Sequence, residues 1–460
     1  METTPPFDLK ELKRDWIADV SGYSFSKRVQ RRIETIRGSG VAAHTRGVLI
    51  AEEDPVKFAA AFFAAVHLRM PVILANRRWG RIEWAEAAAL VNPAVIFGST
   101  PLGTEKCAGS VPRVAPSTIL IPTGGSSGGV KFCVHRWEHL VASCEGLAHF
   151  IGPGPIHSCC VLPLFHVSGL MQLVRSFYTG GRIAFPSFDD LRAGRFPDFP
   201  SNTTCLSLVA TQLQRLLCLK RTIRPLMTAR AIFLGGGPAP LSVLEQAREL
   251  KIPLFLSYGM TETAAMVAAL TPDEFLAGQT NAGRPLWHAS IEIVGPDGSP
   301  CLQGESGRIR IKSRALFKGY HGQRMRNAGD SYLTEDEGCF DRYGRLHVIG
   351  RSDRLIISGG EKIDPREVES AILETGAVEQ ALVLGWPDPE WGQRLVAFYV
   401  EGAVRTDPGK WDQELRSDLA HYKLPKLMIP VKRLPMTVHG KVDRRLIQSL
   451  IEGALEAPRA

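Results

Sequence analysis

The sequence predicts an α/β protein: a large N-terminal lobe of stacked βα sheets, a small antiparallel β-barrel-like subdomain, and a small α+β C-terminal domain. Three observations predict it. From Gly47 to about Tyr258, short β-rich runs alternate with apolar patterns at helical spacing, as stacked βα units with largely parallel strands require. From about Ile291, short alternating strands are separated by Gly and Asp turns, the texture of an antiparallel sheet. After Arg351 a fresh set of elements begins, about one hundred residues long and so within the normal domain range.

In chain order, the strands expected in the lobe are GVLIA (47–51), PVILA (71–75), AVIFG (94–98), STILIP (117–122), CCVLP (159–163), AIFLGGG (231–237) and PLFLSYG (253–259). Residues 56–68, 137–151 and 241–250 carry apolar residues at helical spacing between them. IEIVG, GRIRIKS and RLHVIG form the barrel-like part. The last part holds a helix at 365–374, paired strands at 381–385 and 394–400, and a helix near 411–421. The domain boundary falls between 1–351 and 352–460, with a short hinge near Asp353.

At 460 residues, 44% apolar and 22% charged, the chain is neither collagen-like nor disordered, and it can bury more than one core. Its nine cysteines are scattered without a C-x-x-C pair, so neither a disulfide framework nor a zinc site is implied. The N-terminus is too charged for a signal peptide, and the apolar run 58–66 stops at His67 and Arg69, far short of the ~20 residues that span a bilayer. A cytoplasmic protein without an integral membrane segment is expected. The net charge of +8 favours an anionic small molecule over nucleic acid as partner, although solubility alone accounts for such a balance.

The most informative stretch is ILIPTGGSSGGVKF, 119–132. An apolar strand runs into Thr123, Gly124, Gly125, Ser126, Ser127 and Gly128, followed by Lys131. Glycines let backbone N–H groups approach phosphate oxygens, hydroxyls add donors, and the lysine adds mobile positive charge. The spacing fits neither G-x-x-x-x-G-K-[ST] nor G-x-G-x-x-G. Further along come LPLFHVSGL (162–170), FLGGGPAP (233–240), LSYGMTET (256–263), YLTEDEG (332–338), GRSDRLIISGGEKIDPREVE (350–369) and LPMTVHGKVDRR (434–445).

In this order the motifs resemble the acyl-adenylate-forming superfamily of acyl-CoA synthetases, luciferases and peptide-synthetase adenylation domains. The resemblance covers residues 117–445, about seven tenths of the chain. It implies that ATP, with Mg²⁺, binds the 123–131 loop, and that Gly235, Gly236 and Gly237 wall the adenine against bare backbone. Tyr258 and Gly259 lie beside the base, Thr261 bonds phosphate, and Glu262 holds the metal through oxygen, as a hard cation prefers. Asp336 would accept both ribose hydroxyls, with Glu335 standing where the family usually has glycine, and Arg351 would hold the ribose or phosphate side. Lys441, in P-x-T-x-x-G-K-x-x-R, would stabilise charge as a carboxylate attacks the α-phosphate. His166 would orient or gate the acyl substrate. The 352–460 domain would be a mobile lid that turns about Asp353, withdrawing Lys441 and bringing Ser358, Gly359, Gly360, Glu361 and Lys362 to the thioester step.

Within the superfamily, PTGGSSG in place of TSGTTG, together with LPLFHVSGLMQLVRSF and SLVATQLQRLL, looks like the 2-succinylbenzoate-CoA ligases of menaquinone and phylloquinone synthesis. That substrate carries a second carboxylate needing a cation in an apolar pocket, for which Arg175 and Arg215 are candidates. No carrier segment follows the small domain, so free coenzyme A is the expected acceptor. Another acyl- or aryl-CoA ligase, an enzyme loading a stand-alone carrier protein, and a non-catalytic nucleotide-binding relative stay open, as does a homodimer. Val130 and Phe132 stand where the family has proline and glycine.

Overall fold

The computed structural model describes residues 5–40, 46–79, 81–102, 111–124, 130–200, 202–237, 239–351, 356–358, 361–388, 391–402, 415–416, 419, 423–436 and 442–456. The chain divides into two compact units, Met1–Thr334 with Gly338–Val348, and Glu335–Glu337 with Ile349–Ala460.

The first unit begins with α1 (Gly22–Gly38), β1 (Val48–Ala51), α2 (Pro55–His67), β2 (Val72–Leu74), α3 (Arg81–Leu90), β3 (Val95–Gly98), β4 (Thr118–Gly124), β5 (Val130–Arg136) and α4 (Trp137–Ile151). Their strands form one sheet in the order β3-β1-β2-β4-β5, parallel except for β5, which runs back along β4. The Asp54 carboxylate accepts from Val56 N and Lys57 N and Pro55 opens the helix, so α2 starts with its orphan donors satisfied. Residues 58–66 of α2 are all buried, as expected of a helix that is apolar on every side. Trp16, Phe25 and Phe177 pack around Phe63 of this helix, with ring centroids 4.7–6.4 Å from it.

The second sheet uses β6 (His157–Cys159), β7 (Ile183–Ala184), β8 (Thr204–Leu208), β9 (Ala231–Leu234), β10 (Leu254–Met260), β11 (Ala265–Ala269) and β12 (Arg284–Pro285), in the order β12-β11-β10-β9-β8-β6-β7. Between these strands run α5 (Val167–Tyr178), α6 (Phe188–Arg192), α7 (Ala210–Leu217), α8 (Lys220–Met227), α9 (Leu241–Glu249) and α10 (Pro272–Leu276). A third sheet, β13-β14-β15-β16, comprises β13 (Ala289–Val294), β14 (Gly307–Ser313), β15 (Tyr332–Phe340) and β16 (Leu346–Arg351). β13 and β14 are antiparallel from Ala289↔Ser313 to Val294↔Arg308, as the alternating texture predicts.

The second unit holds β17 (Ile356–Ser358), β18 (Glu361–Ile363), α11 (Pro365–Glu374), β19 (Val378–Asp388), β20 (Gly392–Glu401), β21 (Leu427–Pro430) and α12 (Arg444–Glu456). Ile363, Val368, Ile372, Val383 and Leu395 build one of its cores, and Phe398, Ile429, Ile447 and Ile451 another. The helix expected near 411–421 falls mostly outside the described residues.

Two expectations are corrected. The strand placed at 159–163 is β6, which ends at Cys159, because the chain then folds tightly on itself. His166 N donates to Pro163 O at 3.1 Å, and a Cβ on Gly169 would stand 2.2 Å from that same oxygen. β5 and β8 are strands where none was expected; the polar residues of VKFCVHR hide β5 from a hydrophobicity pattern. No helix among the described residues is long and apolar enough to cross a membrane.

Candidate active site

β6, β8, β9 and β10 run parallel, so their carboxyl ends share one edge, where open α/β sheets hold ligands. Beyond β6 that edge carries His166, exposed at the N-cap of α5 with its ring 4.4 Å from the Phe165 ring. Beyond β9 it carries Gly235, Gly236 and Gly237. A Cβ on Gly235 would lie 2.9 Å from Ser257 Oγ, and Gly236 has φ +82°, so bare backbone is required at both. Beyond β10 it carries the 258–264 turn.

That turn is held from behind. The buried His135 Nε2 lies 2.7 Å from Thr261 O, Phe317 N donates to Glu262 O at 2.8 Å, and Ser143 Oγ donates to Ala264 O at 2.7 Å. Burial and the neighbouring His139 lower the His135 pKa to about 3, so the ring is neutral and its Nε2 carries the donated proton. Ala264 and Ala265 have φ +49° and +84°, unfavourable for residues with a Cβ, and these carbonyl contacts stabilise them. Gly259 is exposed at the start of the turn, and a Cβ there would meet Ala265 O at 2.1 Å. The Thr263 hydroxyl is tied back as well, accepting from Met260 N at 3.0 Å and donating to Ala265 O at 2.6 Å. Tyr258 is buried among Val267, Ile309, Ile311 and Leu316.

Residues 317–321 join this turn to the first sheet. Lys318 N donates to Val134 O, Val134 N to Gly319 O, and His321 N to Phe132 O, so FKGYH runs as a short extra strand along β5. Tyr320 thereby reaches Glu262: its hydroxyl donates to Glu262 Oε1 at 2.6 Å. Lys131 Nζ lies 5.5 Å from the Tyr320 ring centroid, a cation–π distance. The buried Cys133 thiol is pushed well above its usual pKa, first by desolvation and then by the charge of Glu262, and so stays protonated. None of Tyr320, Cys133, His135 and Ser143 belongs to the motifs singled out in the sequence. Only the tertiary course of 317–321 shows why they matter.

Thr123 and Gly124 end β4 and pair with Lys131 and Val130 at the start of β5. Val130 N donates to Glu86 Oε2 at 2.8 Å, tying the start of β5 to α3. Gly125, Ser126, Ser127, Gly128, Asp353, Gly359, Gly360 and Lys441 lie outside the described residues. In the second unit, Ser358 is buried at the end of β17 in register with Glu361 and Gly392, and Lys362 follows on β18. Asp336 is half-buried on β15, and Arg351 closes β16.

Of the two arginines expected near the second carboxylate, one is buried and the other exposed. Arg175, on the last turns of α5, is 3% exposed, with its guanidinium 6.0 Å from the Phe233 ring centroid and no carboxylate pairing with it among the described residues. Arg215 is exposed on the last turn of α7, where it lines a shallow recess of about 330 Å³ with Arg192, Cys218 and Leu219. A helical surface position and a buried one look alike in sequence when both carry arginine. A second recess, of about 230 Å³ and lined by Val66, Arg69, Met70, Ser117, Ile119 and Trp137, lies at the amino ends of β2 and β4 in the first sheet.

Residues 105–321 match the model of the AMP-binding enzyme family, and residues 367–441 that of the AMP-binding enzyme C-terminal domain. A 2-succinylbenzoate–CoA ligase of Geobacillus kaustophilus is 37% identical over 339 residues, covering 72% of this chain and 68% of that one. The chain belongs to the AMP-binding enzyme family. Another relative of this AMP-binding enzyme, the 2-succinylbenzoate–CoA ligase of Bacillus velezensis, is 36% identical, with 74% of this chain and 70% of that one covered. Among solved structures, the o-succinylbenzoate CoA synthetase of Bacillus subtilis in complex with its acyl-adenylate intermediate superposes with a TM-score of 0.79 and 27% identity, covering 96% of this chain and 95% of that one. The same synthetase with ATP and magnesium gives 0.78 and 27%, covering 94% and 95%. The AMP-binding enzyme thus shares its fold with that protein along nearly its whole length.

Proposed function

We infer that this chain is an ATP-dependent, AMP-forming acid–thiol ligase that adenylates 2-succinylbenzoate and passes the acyl group to coenzyme A, a step of menaquinone or phylloquinone biosynthesis. The observation that carries the reading is the near full-length likeness to a synthetase solved with its succinylbenzoyl adenylate. The arrangement of the ligand edge supports it, with bare backbone at Gly235 and Gly236, a buried carboxylate at Glu262 and a lysine at the foot of the phosphate loop.

Glu262 suits a magnesium ligand. It is a carboxylate on the ligand edge, and magnesium needs only one or two such oxygens beside those of phosphate and water. Magnesium held there would supply positive charge to the triphosphate as pyrophosphate departs. Thr123 and Lys131, at the paired ends of β4 and β5, hold the phosphates, and Thr261 adds a hydroxyl donor. Gly235–Gly237, Tyr258 and Gly259 frame the base, while Asp336 and Arg351 take the ribose. His166 orients the substrate carboxylate, and Lys441 stabilises the charge that develops as the carboxylate attacks the α-phosphorus. Turning of 352–460 about Asp353 then brings Ser358–Lys362 to the thioester step. The expected setting is cytoplasmic, where ATP and coenzyme A are at hand, and gel filtration tests whether the chain pairs as a homodimer.

A panel of carboxylic acids in a pyrophosphate-release assay, with and without coenzyme A, tests the reading. Pyrophosphate release with 2-succinylbenzoate and thioester formation on adding coenzyme A are expected. Turnover of benzoates or fatty acids but not of 2-succinylbenzoate would overturn the substrate. Turnover only with a phosphopantetheinyl protein would replace the acceptor.

A further inference from the structure

Two charged groups that face the triphosphate in the reading above, Lys131 and Glu262, come from different sheets and meet on a single side chain. The Tyr320 ring lies 5.5 Å from Lys131 Nζ, and its hydroxyl donates to Glu262 Oε1 at 2.6 Å. Tyr320 is fixed on several sides. Its backbone bridges to Cys133, its ring packs edge-on against Phe317 with centroids 5.1 Å apart, and its oxygen is 3.5 Å from the Tyr332 hydroxyl. A phenol so held restricts the carboxylate that it contacts, because a charge-assisted hydrogen bond to a buried group is short and directional.

We propose that Tyr320 is a positioning residue for the metal-bearing carboxylate. Its O–H holds Oε1 of Glu262 and so orients the carboxylate that would take the magnesium accompanying ATP, while its ring lies beside Lys131. Without the O–H, Glu262 samples other rotamers, and binding the ion costs the ordering that the phenol now supplies in advance. The inference rests on the adenylating function proposed above.

Tyr320→Phe keeps the ring, its packing and the lysine contact and removes only the hydroxyl. The half-saturating magnesium concentration for 2-succinylbenzoate-dependent pyrophosphate release should rise about tenfold or more, the scale of a lost hydrogen bond to a charged group. At saturating magnesium, kcat should stay within about threefold of the parent. A purely structural role would lower kcat and the melting temperature instead. Terbium luminescence titrated with ATP present and no acid added gives a readout without turnover, and its half-saturation should shift by the same factor. Against a Glu262→Gln background, Tyr320→Phe should cost little more, because the group it positions is already gone.

Unchanged magnesium and terbium half-saturation in Tyr320→Phe would overturn the proposal, as would fully additive losses in the double variant. Failure of the parent to release pyrophosphate with any acid would instead overturn the functional reading. The terbium titration would still judge whether Tyr320 arranges Glu262.

Discussion

Glu262 and Arg175 are both buried charged residues of the first unit, 8% and 3% exposed, and their surroundings are opposite. Around Glu262 the protein assembles donors: the Tyr320 hydroxyl, the protonated Cys133 thiol, and Phe317 N on its backbone carbonyl. Around Arg175 it assembles an aromatic face, the thiols of Cys144, Cys160 and Cys205, and His288, which burial and the nearby Arg314 and Arg175 hold neutral with a pKa of about 4. Burial of a charge therefore does not by itself mark a ligand site. Glu262 stands at the carboxyl edge of a parallel sheet with its carbonyl tied back. Arg175 stands two helical turns into α5, where cation–π attraction is its compensation.

The largest effect that would sharpen this contrast is at Glu262. Glu262→Gln keeps the shape and removes the charge, and pyrophosphate release should fall about 100-fold or more, the scale for losing one electrostatic stabiliser in an active site. The melting temperature should hold. Single-turnover pyrophosphate release beside a thermal melt measures both, and a loss under fivefold would remove Glu262 from the machinery.

The next effect comes from the neutral histidines behind each region. His135 backs the Glu262 turn and His288 lies beside Arg175, and both have folded pKa values depressed to about 3 and about 4, chiefly by desolvation. Between those values and the unfolded 6.5, the unfolded chain binds more protons. Their contribution to stability is thus complete above pH 6.5 and is lost as pH falls towards the folded values. Each should cost about 2 kcal/mol between pH 6.5 and 5. Chemical denaturation at the two pH values measures it, and a flat profile would show that these rings are protonated in the fold.

The smallest expected effect is at Arg175. Arg175→Met replaces an unpaired interior cation by an apolar chain of similar length, so stability should hold or rise by about 1 kcal/mol. The KM for 2-succinylbenzoate should stay within about threefold. A tenfold rise in that KM with the KM for ATP unchanged would restore Arg175 to the second carboxylate and break the contrast drawn here.

Much of this was legible beforehand, for identifiable reasons. β1, β2, β3, β4, β9 and β10 are apolar runs bounded by turn residues, and α2, α4 and α9 carry helical periodicity, so each lies within a few residues of its expected place. Glu262, Gly235 and Lys131 were legible because motif order places them at strand ends. β5 was not, since its strand alternates around polar residues and is recognised only by its partners, β4 on one side and 317–321 on the other. Tyr320 was not, since nothing local distinguishes a tyrosine in FKGYHG from any loop tyrosine.

The sequence by itself determined the α/β class, the order of the sheets along the chain and the types of residue at the ligand edge. These follow from periodicity and from glycine at positions where a side chain cannot fit. Tertiary structure alone decided which charges meet. Glu262 and Tyr320 are distant in sequence and join only because residues 317–321 hydrogen-bond along β5 and donate to the Glu262 carbonyl. Hydrogen bonds and desolvation depend on distances that spacing along the chain does not encode, so the same arginine reads alike at 175 and 215 until the fold buries one and exposes the other.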